Sequence, residues 1–363
     1  MAAVDILTRR FQGGFLNQIK PVFVVGPSRS GTSITRLLCN NSASLHLADE
    51  THFFEDLQLK FGDKSQLDDN QKRFCEDYFL ALAHRPYGHG GDASRGVISR
   101  ESLAAEAEKL GGNALAYFVA YCRMQASANG KTRWGEKTPR HIFCLDKIFS
   151  DFPEAQIICL VRDPRACVLS YRDWASHSES MMPSERKRVS ASYNVIVASL
   201  LWRTAVETAE AAQKKWGKER IYLLRYEDLV VQGETAIEDL MRWLDEKFVG
   251  SIADIPVFNS SYEKFRQGSG LSHASLARWR QKLTPAEIQT IEYYCGDALI
   301  RHRYEPLYPR QITLGILAAS AGFPWAVLRA LIANRGRIQN IPLYLWQRSR
   351  AFLKRKTRAS AVR

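Results

Sequence analysis

The chain has no C-x-x-C pair, and its seven cysteines form an odd, scattered set. That pattern excludes a disulfide framework and suggests reduced thiols in a cytosol-like compartment. Cys39, Cys159 and Cys167 read as small core residues. The first residues lack the long apolar stretch of a signal peptide, so no export signal is expected. No internal repeat or low-complexity segment is present. Acidic residues are absent from Arg310 to Arg363, which holds eleven lysines and arginines and leaves only +2 of the net +13 to the residues before it. The body is therefore nearly balanced, and no nucleic-acid reading motif accompanies the basic end.

The most informative absence is a lysine. Pro21 to Ser33, PVFVVGPSRSGTS, is a short apolar strand running into a glycine loop that opens a helix. A nucleotide-hydrolysing P-loop reads G-x-x-x-x-G-K-[ST], its lysine reaching the terminal phosphates and its hydroxyl holding magnesium. Gly26 and Gly31 keep that spacing, but Thr32 stands where the lysine belongs. Arg29 supplies the cation instead. The backbone N–H groups of Ser30, Gly31, Thr32 and Ser33, with the helix dipole, offer donors to an anion. The loop suits a phosphate-like group without a metal-assisted NTPase apparatus.

A second stretch, Ile157 to Trp174, reads IICLVRDPRACVLSYRDW. Ile157 to Val161 is a continuous apolar run suited to a buried parallel strand, Asp163 a helix N-cap and Pro164 the first helical residue. Arg162 then stands at the carboxyl end of a strand, the ligand edge of an open α/β sheet. Val22–Val25 and Ile221–Arg225 are further buried strands with helices between. The expected fold is α/β, a P-loop-like doubly wound parallel sheet flanked by helices. A helical insertion of about residues 56–130, interrupted by Pro86 to Gly96, suits the wall of an acceptor pocket. A domain is expected over 1–310, followed by an apolar and basic tail over 311–363.

The G-x-x-R-S-G-T-S loop resembles the 5′-phosphosulfate loop of sulfotransferases that use 3′-phosphoadenosine 5′-phosphosulfate (PAPS). The downstream stretch strengthens the resemblance, because Arg162 and Ser170, eight residues apart, match the pair that holds the 3′-phosphate of PAPS. ADETHFFE, Ala48 to Glu55, resembles the E-x-H-F-F element of heparan sulfate sulfotransferases and, more loosely, the E-T of tyrosylprotein sulfotransferases. By that resemblance Glu50 is the general base and His52 orients or contacts the acceptor; Asp49 and Glu55 stay open as alternative bases. WGEKTPRH, Trp134 to His141, resembles an E-K-[ST]-P segment in which Lys137 donates to the transferring sulfonate or the acceptor and Glu136 shapes the same pocket. Tyr226 of RYEDLV packs near the adenine or serves as a core aromatic. Gly268 to Trp279 looks like the loop that closes over 3′-phosphoadenosine, with Ser275 and Arg278 as further donors, although Arg266-Gln267-Gly268 departs from the usual R-K-G.

The resemblance implies a bacterial-type PAPS-dependent sulfotransferase needing no metal, with a carbohydrate or glycolipid hydroxyl as acceptor. A protein tyrosine or small-molecule hydroxyl is the alternative acceptor. A P-loop kinase or a non-catalytic nucleotide-binding module is the alternative class. Golgi carbohydrate sulfotransferases begin with a membrane anchor, which this sequence does not show, so a cytoplasmic enzyme is expected. Ile312 to Ala333 is an apolar run broken by Pro324 and Arg329, followed by FLKRKTR, Phe352 to Arg358. It reads as an interfacial or re-entrant segment at the inner membrane, or as a helix packed on the domain or on a partner subunit. A spanning helix is disfavoured, since a central arginine costs about 2.5–3.5 kcal/mol.

Overall fold

The computed structural model describes residues 20–84, 98–177, 187–188, 190–191, 193–255 and 270–334. These divide into two compact units. The first holds the described residues up to Arg162, from Ala209 to Ile255, and from Gly270 to His273. The second holds the described residues from Asp163 to Thr208 and from Ala274 to Asn334.

The first unit is built on five parallel strands, β1 (Val22–Val25), β2 (Leu45–Ala48), β3 (Arg133–Lys137), β4 (Gln156–Val161) and β5 (Ile221–Arg225), in the order β2-β3-β1-β4-β5. The three strands expected from their apolar runs are present, together with β2 and β3. Side chains alternate across the pleat. Val22, Val24, Leu45, Leu47, Ile158 and Leu160 turn to one face, where they meet helices Thr32–Asn40, Tyr226–Gln232 and Glu234–Leu244 through Leu38, Leu229 and Leu240. Phe23 turns to the other face and packs with Phe118, Trp134 and Phe152 at ring-centroid distances of 5.9–6.4 Å. Each fully buried aromatic of this kind stabilises by about 1.5–3 kcal/mol.

Between β2 and β3 lies the helical insertion, with helices Leu57–Phe61, Asp69–Ala83, Arg100–Lys109 and Ala114–Ala128. Asp68, Ser99 and Asn113 cap the last three by accepting from the third backbone N–H. The expected interruption at Pro86 to Gly96 lies outside the described residues.

In the second unit, Asp163 accepts from the Arg165 N–H at 2.9 Å and so caps helix Pro164–His177, as its position before Pro164 predicts. Arg165 is the hub. Its guanidinium pairs with Asp163 at 2.8 Å and Glu292 at 2.6 Å, and its carbon centre stacks 3.9 Å from the Trp279 ring. Buried charge is tolerated there because each of the three guanidinium nitrogens donates to an acceptor. Helix Pro285–Cys295 begins with a Thr284–Glu287 capping box, and helices Leu314–Ala321 and Phe323–Asn334 follow. Phe352 to Arg358 lies outside the described residues.

Cys39, Cys159 and Cys167 are buried, as expected of core residues. Burial pushes the Cys39 thiol up to about 12, so it remains protonated.

Candidate active site

All five strands of the first unit deliver a singled-out residue at the same edge of the sheet. β1 runs into the Gly26–Ser33 loop, β2 into Asp49 and Glu50, β3 ends on Lys137, β4 is followed by Arg162, and β5 by Tyr226. In an open parallel sheet the carboxyl edge is where ligands bind, above all where the strand order reverses. Here β1 has β3 on one side and β4 on the other.

Glycine is required twice in the loop. Gly26 has φ 142°, and a Cβ there would stand 2.5 Å from the Leu160 carbonyl oxygen of β4. Gly31 has φ 100°, and a Cβ would meet the Tyr226 ring at 2.4 Å. The backbone therefore runs closer to its neighbours than any side chain permits. The Ser30 hydroxyl donates to the Pro27 carbonyl at 2.7 Å and closes the turn, while the Gly26 N–H donates to the Pro139 carbonyl at 3.0 Å, joining the loop to the E-K-T-P segment. Arg29 has a left-handed φ of 70°, a conformation uncommon for a residue other than glycine and concentrated at functional sites. Helix Thr32–Asn40 starts without a side-chain cap, which leaves its first-turn N–H groups to an anion.

Arg162 meets this loop directly. Its Nη1 donates to the Arg29 carbonyl at 3.2 Å, and its guanidinium lies 4.3 Å from the centre of the Tyr226 ring. Tyr226 thus fills the space between Gly31 and Arg162 and supports the cation by stacking. Of the other residues matched to the 3′-phosphate, Ser170, Ser275 and Arg278 belong to the second unit. There Arg278 pairs with Asp173 at 3.1 Å on the helix that carries Ser170. Arg266-Gln267-Gly268 lies outside the described residues.

The second cluster is electrostatic. Lys137 is only 2% exposed, with its ammonium 2.7 Å from both Asp49 Oδ1 and Glu50 Oε1. Arg36 approaches Asp49 at 3.9 Å. His52 stands between two carboxylates, with Nε2 3.3 Å from Glu50 and Nδ1 3.4 Å from Glu55. Burial disfavours the charged forms throughout, but the pairs prevail. The Lys137 pKa is raised by Asp49 and Glu50 against its burial. Glu50 is lowered to about 2, because Lys137 and the His52 hydrogen bond outweigh burial. His52 is raised to about 10, its hydrogen bonds to Glu50 and Glu55 overcoming the same cost. Glu50 is accordingly an ionised acceptor with a third of its side chain exposed, whereas Asp49 is more enclosed.

Beneath this layer Glu136 is fully buried and acts as a bracket. Its carboxylate accepts from the Thr138 hydroxyl at 2.7 Å, the Thr51 hydroxyl at 3.1 Å and the His141 Nδ1 at 2.5 Å. Thr138 Oγ1 in turn accepts from the Thr51 N–H at 3.1 Å and the His52 N–H at 3.4 Å. These bonds hold a turn in which His52 takes a left-handed φ of 52°. Phe53 and Phe54 anchor the same turn in the aromatic core, Phe53 stacking on Phe118 at 4.6 Å. From the insertion, the Tyr78 hydroxyl donates to the Thr51 carbonyl at 2.6 Å. Sequence reasoning missed Thr51, Thr138 and Tyr78 as supports. The one signal for Thr51 and Thr138 was a hydroxyl within each acidic motif, whereas Tyr78, on helix Asp69–Ala83, carried none.

Residues 21–249 match the model of the sulfotransferase family. The chain belongs to that family, whose enzyme class is sulfotransferase. A curated relative, nodulation protein NoeE of Sinorhizobium fredii (strain NBRC 101917 / NGR234), is 28% identical over 203 residues, 52% of this chain and 48% of that protein. The match thus spans about half the relative's length. Among solved structures, the sulfotransferase domain from the Synechococcus PCC 7002 olefin synthase aligns with a TM-score of 0.51 at 19% identity, covering 81% of this chain and 98% of that one. The sulfotransferase domain from the curacin biosynthetic pathway aligns with a TM-score of 0.50 at 15% identity, covering 80% and 99%. At these identities the likeness is one of fold.

Proposed function

We propose that the chain moves a sulfonate from PAPS to a hydroxyl of a carbohydrate or glycoconjugate, with Glu50 accepting the hydroxyl proton. The observation that carries this reading is the convergence of the Gly26–Ser33 loop, Arg162, Lys137 and Glu50 at one edge of the sheet of the first unit. The loop amides of Gly31, Thr32 and Ser33 and the Arg29 side chain are assigned to the 5′-phosphosulfate, whereas the Ser30 N–H donates to the Pro27 carbonyl at 3.3 Å. Arg162, backed by Tyr226, is assigned to the 3′-phosphate, with Ser170, Ser275 and Arg278 assigned there by the resemblance.

PAPS supplies an activated sulfonate. The acceptor oxygen forms the new S–O bond as its proton passes to Glu50, and the S–O bond to the bridging phosphate oxygen breaks, its electron pair leaving with 3′-phosphoadenosine 5′-phosphate. Arg29 and Lys137 stabilise the charge that grows on the departing phosphate and on the sulfonate, which favours the transition state over the ground state. His52, held as a cation between Glu50 and Glu55, orients the base or donates to the acceptor.

A carbohydrate acceptor is favoured by the E-T-H-F-F and E-K-T-P segments, and a lipid-linked sugar at the cytoplasmic face of a membrane would suit the apolar C-terminal helices. Calorimetry with 3′-phosphoadenosine 5′-phosphate and with ATP, each with and without magnesium, tests the cofactor. Magnesium-independent binding of the former, lost in Arg162→Ala, is expected; preference for magnesium–ATP would mean phosphoryl chemistry. An acceptor screen with neutral oligosaccharides, glycolipids, tyrosine peptides and simple phenols then separates carbohydrate transfer from the tyrosine and small-molecule alternatives.

A further inference from the structure

We infer that helices Leu314–Ala321 and Phe323–Asn334 form a monotopic membrane face, lying flat on an anionic lipid surface without crossing it. Together they are long and apolar enough to span a bilayer. Length alone does not decide between spanning and lying flat; the two sides of the pair do.

One side is docked on the second unit. Ile316 and Ala326 are buried, Ser320 hydrogen-bonds the Tyr294 hydroxyl at 2.8 Å, and Thr313 donates to the Gln289 side chain at 3.1 Å. Arg329 donates from Nε to the Ala191 carbonyl at 3.1 Å. A span would place these polar groups in hydrocarbon and break their contacts. The opposite side is apolar and open: Leu314 is 86% exposed, Trp325 65% and Leu317 54%, with Leu328 and Ile332 beside them. Five large apolar side chains exposed to water on one pair of helices mark an interaction surface.

Charge identifies the occupant. The sequence that follows, residues 335–363, holds nine lysines and arginines and no acidic residue. Such a segment is attracted to anionic headgroups, whereas a second copy of the chain would bring the same nine cations against it. A tryptophan among aliphatic residues also suits the headgroup boundary. An apolar face followed by a basic segment supplies the two signals that stable peripheral anchoring needs. This inference rests on the second unit alone and not on the proposed chemistry.

The test uses the full chain, sedimented with sucrose-loaded vesicles of phosphatidylcholine with or without phosphatidylglycerol. Binding to the phosphatidylglycerol vesicles that weakens with salt, and weakens by about tenfold or more in the double variant Leu317→Glu, Trp325→Glu, is expected. Both positions are exposed, so the variant should keep the wild-type melting transition and affinity for 3′-phosphoadenosine 5′-phosphate. Bound protein should be released by alkaline carbonate. No vesicle binding, binding indifferent to the double variant, or resistance to carbonate would each overturn the inference. So would a concentration-dependent dimer abolished by the same variant in the absence of lipid affinity.

Discussion

The Lys137 ammonium lies 2.7 Å from Oε1 of Glu50, although 87 residues separate them in the chain. The contact makes Glu50 ionised and weakly basic at once, since the cation that keeps it charged also opposes its protonation. A carboxylate held by Lys137 becomes a stronger base when the ammonium turns toward another anion. Removing the Glu50 carboxylate by Glu50→Gln should lower turnover by roughly 10²–10⁴-fold, with affinity for 3′-phosphoadenosine 5′-phosphate essentially unchanged. Turnover and calorimetry on the same preparation check this. Unimpaired turnover would move the base to Asp49 or Glu55.

The pH dependence of stability follows from the two opposed shifts. Glu50 is depressed from 4.5 to about 2, so its contribution is present above 4.5 and is lost as pH falls through its folded value. His52 is raised from 6.5 to about 10, so its contribution is fully present below 6.5 and is lost as pH rises through about 10. This cluster therefore stabilises most between about pH 4.5 and 6.5. Melting temperatures measured from pH 6 to 10 should decline on the alkaline side, and His52→Gln should flatten that decline.

Arg162 and Tyr226 should behave as one unit. Arg162→Ala removes a charge-assisted donor worth about 1.5–3 kcal/mol, a loss of roughly 10- to 150-fold in affinity for 3′-phosphoadenosine 5′-phosphate. Tyr226→Leu leaves the arginine but removes the stacked ring, worth about 0.5–2 kcal/mol. Its smaller loss should vanish when Arg162 is already alanine, which a double-mutant cycle by calorimetry measures.

Gly31→Ala should damage the loop from two directions, backbone strain at φ 100° and collision with Tyr226. Strain of this kind costs about 1 kcal/mol or more. Cofactor affinity should fall, with partial recovery in the double variant Gly31→Ala, Tyr226→Ala, where the collision is relieved.

Glu136 should act through the turn it holds. In Glu136→Gln one of the two oxygens that accept from Thr51, Thr138 and His141 becomes an amide donor, which weakens the network holding the Thr51–His52 turn. The His52 imidazole, followed by NMR titration and assigned with His52→Gln, should move from about 10 back toward 6.5. Thr138→Ser, which keeps the hydroxyl, should titrate like the wild type. An unmoved His52 in a folded Glu136→Gln protein would show that the bracket does not position the site.

Much of this arrangement was legible in the chain. The apolar runs of β1, β4 and β5 announced buried parallel strands, and the spacing of Gly26 and Gly31 announced a loop entering a helix. β2 and β3 were not legible. LHLA is short and contains a histidine, and RWGEK carries three charges that interrupt the apolar run of a buried strand, although Glu136 and Lys137 are buried. Strand pattern reports burial only when the buried residues are apolar. Here burial is made tolerable by Asp49, Glu50, Thr51 and His141, which no local pattern can pair with β3.

Residue identity and spacing by themselves determined the glycine loop between β1 and its helix, the carboxylate and cation inventory, and the basic C-terminal end. Only the tertiary structure decided which carboxylates face Lys137, that Tyr226 supports Arg162, and which side of the last two helices stays open. The reason is physical. A backbone preference is set by near neighbours, whereas the charge state of a buried group is set by partners that folding brings from far along the chain.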